Sequence, residues 1–147
     1  NNIPQDKNRM VFEPCYSAEA GVRGMRELLS RGRDFSAVFA ATDELAIGAV
    51  RTLKDEGFRI PEDISVAGFD DMETSSYMVP RLTTIRQPLQ EMGKQTVLIL
   101  HNLIKNAAGA TVKCVLPYKL VIRESTGEAA STMWTTETKA SIHRELP

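Results

Sequence analysis

Acidic and hydroxyl-bearing side chains follow each of three short apolar runs in this sequence. The groups after the three runs are Cys15, Tyr16 and Ser17, then Thr42, Asp43 and Glu44, and finally Asp70 and Asp71. In an open α/β sheet, ligands bind outside the carboxyl ends of the strands, so these residues are the first candidates for binding or catalysis. A helix cap is the simpler interpretation of Asp43, whereas the adjacent carboxylates of Asp70 and Asp71 exceed what a cap requires.

Two kinds of catalysis are conceivable at these positions. The acids Asp43, Glu44, Asp70 and Asp71 could hold Mg²⁺ for phosphoryl transfer, because hard cations prefer several oxygen ligands. Against this role, the sequence contains no GxxxxGK[ST] or GxGxxG loop that would bind phosphate. Nucleophilic catalysis lacks a base, since neither histidine of the chain follows a predicted strand.

Recognition of a ligand without reaction is the third interpretation. A polyhydroxylated ligand is bound by carboxylates and short polar groups, with an aromatic ring against its C–H side. Asp70, Thr42 and Tyr16 are residues of these types at the predicted strand ends. Tyr16 taken alone is more often a core or rim residue than a stacking platform.

The elements that would position these residues alternate between strand and helix. Strands are predicted at 11–13, 37–41, 64–69, 82–86 and 113–123. The centres of the first three lie 27 and 28 residues apart, which is the length of one strand and one crossover helix. The run at 37–41 is apolar throughout, as in a strand buried on both faces. We therefore predict an α/β fold with a parallel sheet covered by helices.

Three helices are predicted between these strands. Ser17 offers N-cap chemistry for the first helix, which Gly32 can end. Thr42 offers the same chemistry for the second helix, 44–56. The third helix, 88–105, begins with proline in its first turn and carries an unusually broad apolar arc.

Composition excludes several classes of protein. The 147 residues carry a formal net charge of -1, so no polybasic surface is indicated. No apolar run approaches the roughly 20 residues of a membrane helix, and residues 1–14 show no signal peptide. The two cysteines have no CxxC spacing, which argues against a disulfide framework or a zinc site and favours a reducing, cytosolic setting.

Three motifs together resemble the effector-binding region of the LacI/GalR family of transcriptional regulators. They are ATDELAIGAVRTLKDEGFRIPEDISVAGFDD (41–71), PRLTTIRQPLQEMG (80–93) and LPYKLVIRESTG (116–127). The resemblance extends over about residues 10–127. It implies the C-terminal lobe of a periplasmic-binding-protein-like fold, with the effector bound between two lobes and a helix-turn-helix DNA-binding head that this chain does not contain.

The resemblance also implies roles for individual residues. Asp70 matches a principal ligand of effector hydroxyls, and Thr42 matches a position, usually Asn or Ser, that also touches the effector. Tyr16 matches a lining position, and Gln87 and Leu89 match positions near the hinge side of the cleft.

A dimer interface and a domain division are implied as well. The dimer surface matches segments 44–54 and 74–82, in which the candidate residues are Leu45, Ala49, Thr52, Tyr77, Met78 and Val79. Residues 1–124 are expected to form the effector-binding and dimerisation domain, and 125–147 a flexible tail. Helix 88–105 matches the part that packs on the first lobe, so without that lobe it should expose an apolar patch and self-associate.

The function implied is effector sensing and dimerisation in a cytoplasmic bacterial regulator, with no catalysis, cofactor, metal or membrane contact. Its partners would be a sugar or nucleoside effector, a second copy of the chain, and operator DNA through the helix-turn-helix head. One alternative is a periplasmic sugar-binding protein of a transporter, which has the same fold. Another is the Mg²⁺-dependent phosphotransferase considered above.

Overall fold

A computed structural model describes residues 6–105 and 112–128 of the chain. The helices are α1 (Ala18–Arg31), α2 (Asp43–Asp55) and α3 (Leu89–Lys105). The strands are β1 (Ala37–Phe39), β2 (Ser65–Ala67), β3 (Thr84–Arg86) and β4 (Lys119–Val121). Two 3₁₀ helices, Lys7–Arg9 and Glu73–Ser76, are also formed. No helix in the described ranges is long and apolar enough to cross a bilayer.

The strands lie in the order β1, β2, β3, β4. The first pair is parallel, isolated parallel bridges join the β2 and β3 regions, and β4 is antiparallel to β3. Paired residues include Val38 with Val66, Asp70 with Arg86, and Ile85 with Leu120. The predicted α/β fold with a parallel, helix-covered sheet is therefore confirmed, and the last strand reverses direction.

The predicted strands 37–41, 64–69 and 82–86 form β1, β2 and β3 with shorter bounds, and the other two predicted strands differ more from the structure. Residues 11–13 form no strand, because their backbone has no hydrogen-bonded neighbour among the described residues. The prediction of a strand there is wrong, although the side chains of Val11 and Glu13 lie against α1 beside Gly24. The predicted strand 113–123 is shortened to Lys119–Val121, the part that pairs with β3.

Hydroxyl side chains begin α1 and α2 as predicted. The Ser17 hydroxyl accepts a hydrogen bond from the backbone N–H of Ala20 at 3.2 Å. The Thr42 hydroxyl accepts one from the N–H of Leu45 at 3.3 Å. Each bond satisfies one of the N–H groups that the first turn of a helix leaves without a partner.

Helices α1 and α2 cross at two glycines. A Cβ on Gly21 would lie 2.2 Å from the carbonyl oxygen of Leu45, and one on Gly48 would lie 2.0 Å from that of Ala18. Both distances are shorter than any van der Waals contact, so the helices can approach this closely only where the side chains are missing. The crossing brings the first turns of both helices to the same side of the sheet.

The apolar core lies between this helix pair and the sheet. Its most buried members are Met25, Ala46, Leu53, Ile64, Val66 and Leu82. The burial of these side chains is the main favourable contribution to folding.

Helix α3 contributes no buried residue to this core. Leu89, Val97 and Ile104 are 63%, 67% and 73% exposed. The broad apolar arc predicted for this helix is thus present on the surface, and no described element covers it.

Hydrogen bonds connect residues near the end of the described chain to the rest of the domain. Ser125 is fully buried, its N–H donates to the carbonyl of Arg81, and its hydroxyl donates to that of Val66. The structure therefore keeps residue 125 in the domain, where the sequence predicted the start of a flexible tail. Residues 129–147 of that predicted tail lie outside the described residues.

We expect Gly48→Ala to destabilise the protein by about 3 kcal/mol, because its new Cβ meets a backbone carbonyl that cannot rotate away. Gly93→Ala is the matched control, since nothing lies within 4 Å of a Cβ added to that helical glycine. It should stabilise the protein by about 0.5–1 kcal/mol. Urea unfolding measures both changes, and equal effects would contradict the close crossing.

Candidate functional site

The carboxyl ends of β1, β2 and β3 meet at one edge of the sheet. Beyond the ends of β1 and β2, the N–H of Asp43 donates to the carbonyl of Phe69 at 2.8 Å. Beyond β2, the N–H of Asp70 donates to the carbonyl of Ile85 at 3.0 Å. These bonds place Thr42, Asp70 and Gln87 side by side at the edge where α/β proteins bind ligands.

Asp70 and Asp71 occupy left-handed backbone conformations, with φ of 119° and 56°. Such values are strained for residues other than glycine and persist only where the surrounding structure holds them. The turn sends the two carboxylates in different directions. The Oδ1 of Asp70 accepts a hydrogen bond of 2.7 Å from the side-chain amide of Gln87.

Asp71 is bound by two arginines and is almost enclosed. Arg123 donates to its Oδ1 at 2.6 Å, Arg86 donates to its Oδ2, and the Asp71 side chain is only 5% exposed. Burial by itself would raise the pKa of this carboxyl, but the hydrogen bonds from Arg123 and Arg86 outweigh it and lower the pKa. The Asp71 N–H also donates to the Thr84 hydroxyl. Asp71 is therefore a structural residue, whereas Asp70 forms no ion pair among the described residues.

The carboxylate of Asp43 is fully buried and accepts three hydrogen bonds. Its donors are the hydroxyls of Thr84 at 2.6 Å and Ser75 at 2.5 Å, and the N–H of Met72 at 2.8 Å. The interpretation of Asp43 as a helix cap is wrong, because Thr42 performs that function and Asp43 is the first residue of α2.

Glycine at position 68 makes room for this carboxylate. A Cβ there would lie 2.4 Å from the Oδ1 of Asp43 and 3.0 Å from the Cδ2 of Leu82. The backbone of the chain after β2 can therefore pass directly over the Asp43 side chain.

Tyr16 and Leu89 adjoin residues of the same edge and are mostly exposed to solvent. Tyr16 directly precedes the cap of α1, whose first turn faces that of α2, and is 67% exposed. Leu89 follows Gln87 by two residues and is 63% exposed. The side chain of Gln87 is thus hydrogen-bonded to Asp70, with Thr42 beside them, whereas Tyr16 and Leu89 are exposed to solvent.

The described chain has two notable cavities, both beside β1. One, of about 300 Å³, follows β1 along its outer side, and the other, of about 360 Å³, lies near the start of β1 and the end of α1. Neither is lined by Thr42, Asp70 or Gln87. These three effector candidates are each half-buried.

The acids of this edge do not assemble into a metal site. Among the described residues, no group of three or more His, Cys, Asp or Glu side chains could hold a metal ion. Asp43 and Asp71 use their oxygens for the hydrogen bonds given above, and this counts against the phosphotransferase alternative.

Residues 4–126 match the family model of the periplasmic binding protein-like domain. The chain belongs to this family. Its relatives include the transcriptional regulator CelR of Thermobifida fusca, 38% identical over 110 residues, which are 75% of this chain and 32% of CelR.

Two solved structures agree with this assignment. A complex of the regulator CelR with cellobiose has a TM-score of 0.69 at 38% identity, covering 75% of this chain and 34% of that one. The lac repressor dimer bound to operator and an anti-inducer has a TM-score of 0.67 at 37% identity, covering 75% and 38%. The resemblance to the LacI/GalR regulators is confirmed, and the chain spans about a third of the length of the curated relatives that it matches.

Within this periplasmic-binding-protein-like domain, the candidate dimer residues fall into two groups. Tyr77 and Val79 are 76% and 78% exposed, whereas Met78 packs against the core and Leu45 is half-buried. Ala49 and Thr52 are only 4% and 3% exposed. The structure therefore places Ala49 and Thr52 inside the domain rather than on the predicted surface, because that face of α2 packs within the fold.

Four residues on which the site depends were not among the candidates identified from the sequence. They are Ser75, Thr84, Arg86 and Arg123, which contact Asp43 or Asp71. Arg123 lies 52 positions from Asp71 along the chain. No local spacing rule detects such a contact. The available signal was that Thr84 and Arg86 lie in the motif at 80–93 and Arg123 in the motif at 116–127.

We expect Arg123→Gln to raise the pKa of Asp71. The variant loses one of the two guanidinium groups whose hydrogen bonds offset the effect of burial on that carboxyl. A depressed pKa stabilises the fold above the unfolded value, near 3.8, and this contribution disappears as pH falls through the folded value. The variant should therefore be less stable at pH 7, by about 2 kcal/mol, and this difference should shrink below about pH 4. Carboxyl NMR titration and urea unfolding at several pH values measure both effects.

Arg81→Gln is the control for this experiment. Its partner Glu124 is 50% exposed, so solvent screens the ion pair and the loss should be smaller. A loss from Arg123→Gln that did not change with pH would contradict the assigned role.

Proposed function

We propose that this chain is the effector-sensing and dimerising part of a LacI/GalR-type transcriptional regulator. The observation that carries the proposal is the presentation of Asp70 at the carboxyl edge of the sheet, with Gln87 bonded to it and Thr42 beside it. The effector would favour one arrangement of two lobes and so change DNA affinity through a helix-turn-helix head outside these residues. Such a regulator works in the cytoplasm and needs no catalysis and no cofactor.

The polar groups at this edge suit a ligand with neighbouring hydroxyls. Gln87 occupies the Oδ1 of Asp70, and within the described residues the Oδ2 has no hydrogen-bond partner. The Oδ2 can accept from a ligand hydroxyl. The Thr42 hydroxyl accepts from Leu45 and retains its proton for donation. One acceptor beside one donor fits a sugar or the ribose of a nucleoside.

The comparisons support a sugar as the first ligand to test. The related CelR structure contains cellobiose, a ligand rich in hydroxyls. We infer that cellobiose or a similar saccharide binds here, and that a single lobe binds it weakly because the opposing contacts are missing.

We expect cellobiose to shift the backbone NMR signals of Thr42, Asp70 and Gln87 when it is titrated into the chain at millimolar concentrations. Asp70→Asn should weaken binding at least about tenfold, since it removes hydrogen bonds to a charged group. Glu73→Gln is the control, because it neutralises an exposed acid of the nearby 3₁₀ helix.

Adenosine and Mg²⁺ serve as the competing ligands in the same titration. Equal binding of cellobiose to the Asp70→Asn variant would sink the assigned site. A response to Mg²⁺ that Asp70→Asn removed, with no response to cellobiose or adenosine, would favour the phosphotransferase alternative.

We propose two association surfaces on the chain. The first is the loop containing Tyr77 and Val79, where Met78 is anchored in the core and the Nζ of Lys54 donates to the Val79 carbonyl at 2.5 Å. Exposed apolar side chains on a loop that is fixed to the domain are suited to a dimer contact. The related lac repressor is a dimer, which supports this assignment. The second surface is the exposed apolar face of α3.

We expect the chain to sediment as a concentration-dependent oligomer. Val79→Glu and Val97→Glu should each weaken association at least about tenfold, because each places a charge in one apolar surface. Lys94→Glu, an exposed polar position of α3, is the control and should leave association unchanged. A wild-type chain that remains monomeric at all concentrations would contradict both surfaces.

A further inference from the structure

Two helices begin at the carboxyl edge of the sheet, and acidic residues occupy the first turn of each. Glu19 lies in the first turn of α1, and Asp43 and Glu44 are the first two residues of α2. The start of a helix attracts anions, because its N–H groups and the positive end of its dipole lie there. Carboxylates of the protein already compensate that charge at both helix starts, so neither start favours a phosphate group.

The N–H groups at the start of α2 also have acceptors within the protein. The N–H of Asp43 donates to the carbonyl of Phe69 at 2.8 Å. The N–H of Leu45 donates to the Thr42 hydroxyl at 3.3 Å, and that of Ala46 donates to the Thr42 carbonyl at 3.1 Å. A phosphate group bound at this helix start would have to replace hydrogen bonds that the fold already uses.

The arginines near this edge are neutralised by Asp71. Burial acts to raise the pKa of Asp71, but the hydrogen bonds from Arg123 and Arg86 lower it, so the carboxyl stays ionised at neutral pH and pairs with both. Lys119 lies opposite Arg86 in the β3–β4 register, on the same face of the strands, and so accompanies these ion pairs rather than Asp70. Guanidinium groups are the usual ligands of phosphate, and both of these are already bound to a carboxylate.

Two carboxylates of the same edge have no basic partner among the described residues. Asp70 accepts its side-chain hydrogen bond from the uncharged amide of Gln87, at 2.7 Å. Glu44 is half-buried in the first turn of α2, and within the described ranges no hydrogen bond or ion pair reaches its side chain. The edge therefore carries negative charge that the described part of the chain does not compensate.

We propose that this edge selects uncharged polyhydroxylated ligands and rejects their phosphate esters, and that Glu44 is a residue that determines this specificity. The inference rests on the proposed function, since it concerns the ligand that Asp70 and Thr42 contact. A phosphate monoester carries about −1.5 to −2 charges at pH 7, and placing it beside a carboxylate without a cation is unfavourable. The hydroxyls of an uncharged saccharide can instead donate to Asp70. Negative charge at the edge thus distinguishes two ligands that share the same hydroxyl groups.

The test titrates the chain with cellobiose and with a phosphate monoester of cellobiose, and follows the backbone NMR signals of Thr42, Asp70 and Gln87. At low salt and neutral pH, the ester should bind at least about tenfold more weakly than cellobiose. Glu44→Gln should strengthen binding of the ester by about threefold or more and leave binding of cellobiose unchanged. Asp55→Asn is the matched control, because it removes the same charge from the opposite end of α2, where the side chain is 64% exposed. It should change neither affinity.

The charge of the ester supplies a second measurement, which needs no variant. The second pKa of a phosphate monoester is about 6, so the ester loses part of its charge as the pH falls from about 7.5 to about 5.5. The difference in affinity between the ester and cellobiose should therefore become smaller over this range. Rejection of the ester on steric grounds alone would not depend on pH.

Equal affinities for cellobiose and the ester, or binding of the ester alone, would overturn the inference and leave a ligand site at this edge. Rejection that stays the same at the lower pH would overturn the assignment to charge. Rejection that Glu44→Gln leaves unchanged would overturn the role of Glu44. Binding of neither ligand would instead overturn the proposed function, and the inference with it.

Discussion

The buried carboxylate of Asp43 joins three parts of the chain that are distant in sequence. It accepts hydrogen bonds from Ser75 and Met72 in the loop after β2 and from Thr84 in β3, and it does so from the first turn of α2. A carboxylate without donors would be costly at zero exposure. Three hydrogen bonds and the positive end of the α2 dipole offset that cost.

The hydrogen bonds to Asp43 support the carboxyl edge of the sheet, where we propose that the effector binds. The hydrogen bonds of Asp43 connect the loop after β2 to the start of α2. They therefore hold the carboxyl ends of the strands next to Asp70 in fixed positions relative to one another. The left-handed turn at Asp70 and Asp71 costs on the order of 1–3 kcal/mol per residue and needs such support. The ion pairs of Arg123 and Arg86 with Asp71 provide part of this support. Of the two adjacent carboxylates, Asp71 therefore stabilises the turn, and Asp70 is the one that we propose contacts the effector.

The two surfaces proposed for association differ in how they are attached to the core. The α3 face exposes apolar side chains on a helix that contributes no buried residue to the core. The loop containing Tyr77 and Val79 is instead anchored by Met78, which packs against the core, and by the hydrogen bond from Lys54 to the Val79 carbonyl. The loop therefore has the more fixed position of the two surfaces.

The sequence by itself determined the alternation of strands and helices, the caps at Ser17 and Thr42, and the family. These features are local, because a cap or an apolar stripe depends on residues within a few positions of one another. The sequence also indicated Asp70 as the ligand residue, through its position after a strand and its motif. That role is still a proposal.

Only the tertiary structure decided which carboxylates are structural. Asp43, Asp70 and Asp71 look alike in the sequence, and their different surroundings depend on Thr84 and Arg123, whose positions follow from how the strands pair. The tertiary structure also placed Ala49 and Thr52 in the interior and left residues 11–13 without a strand partner. A strand exists only with a neighbour, and local sequence does not specify whether that neighbour is present.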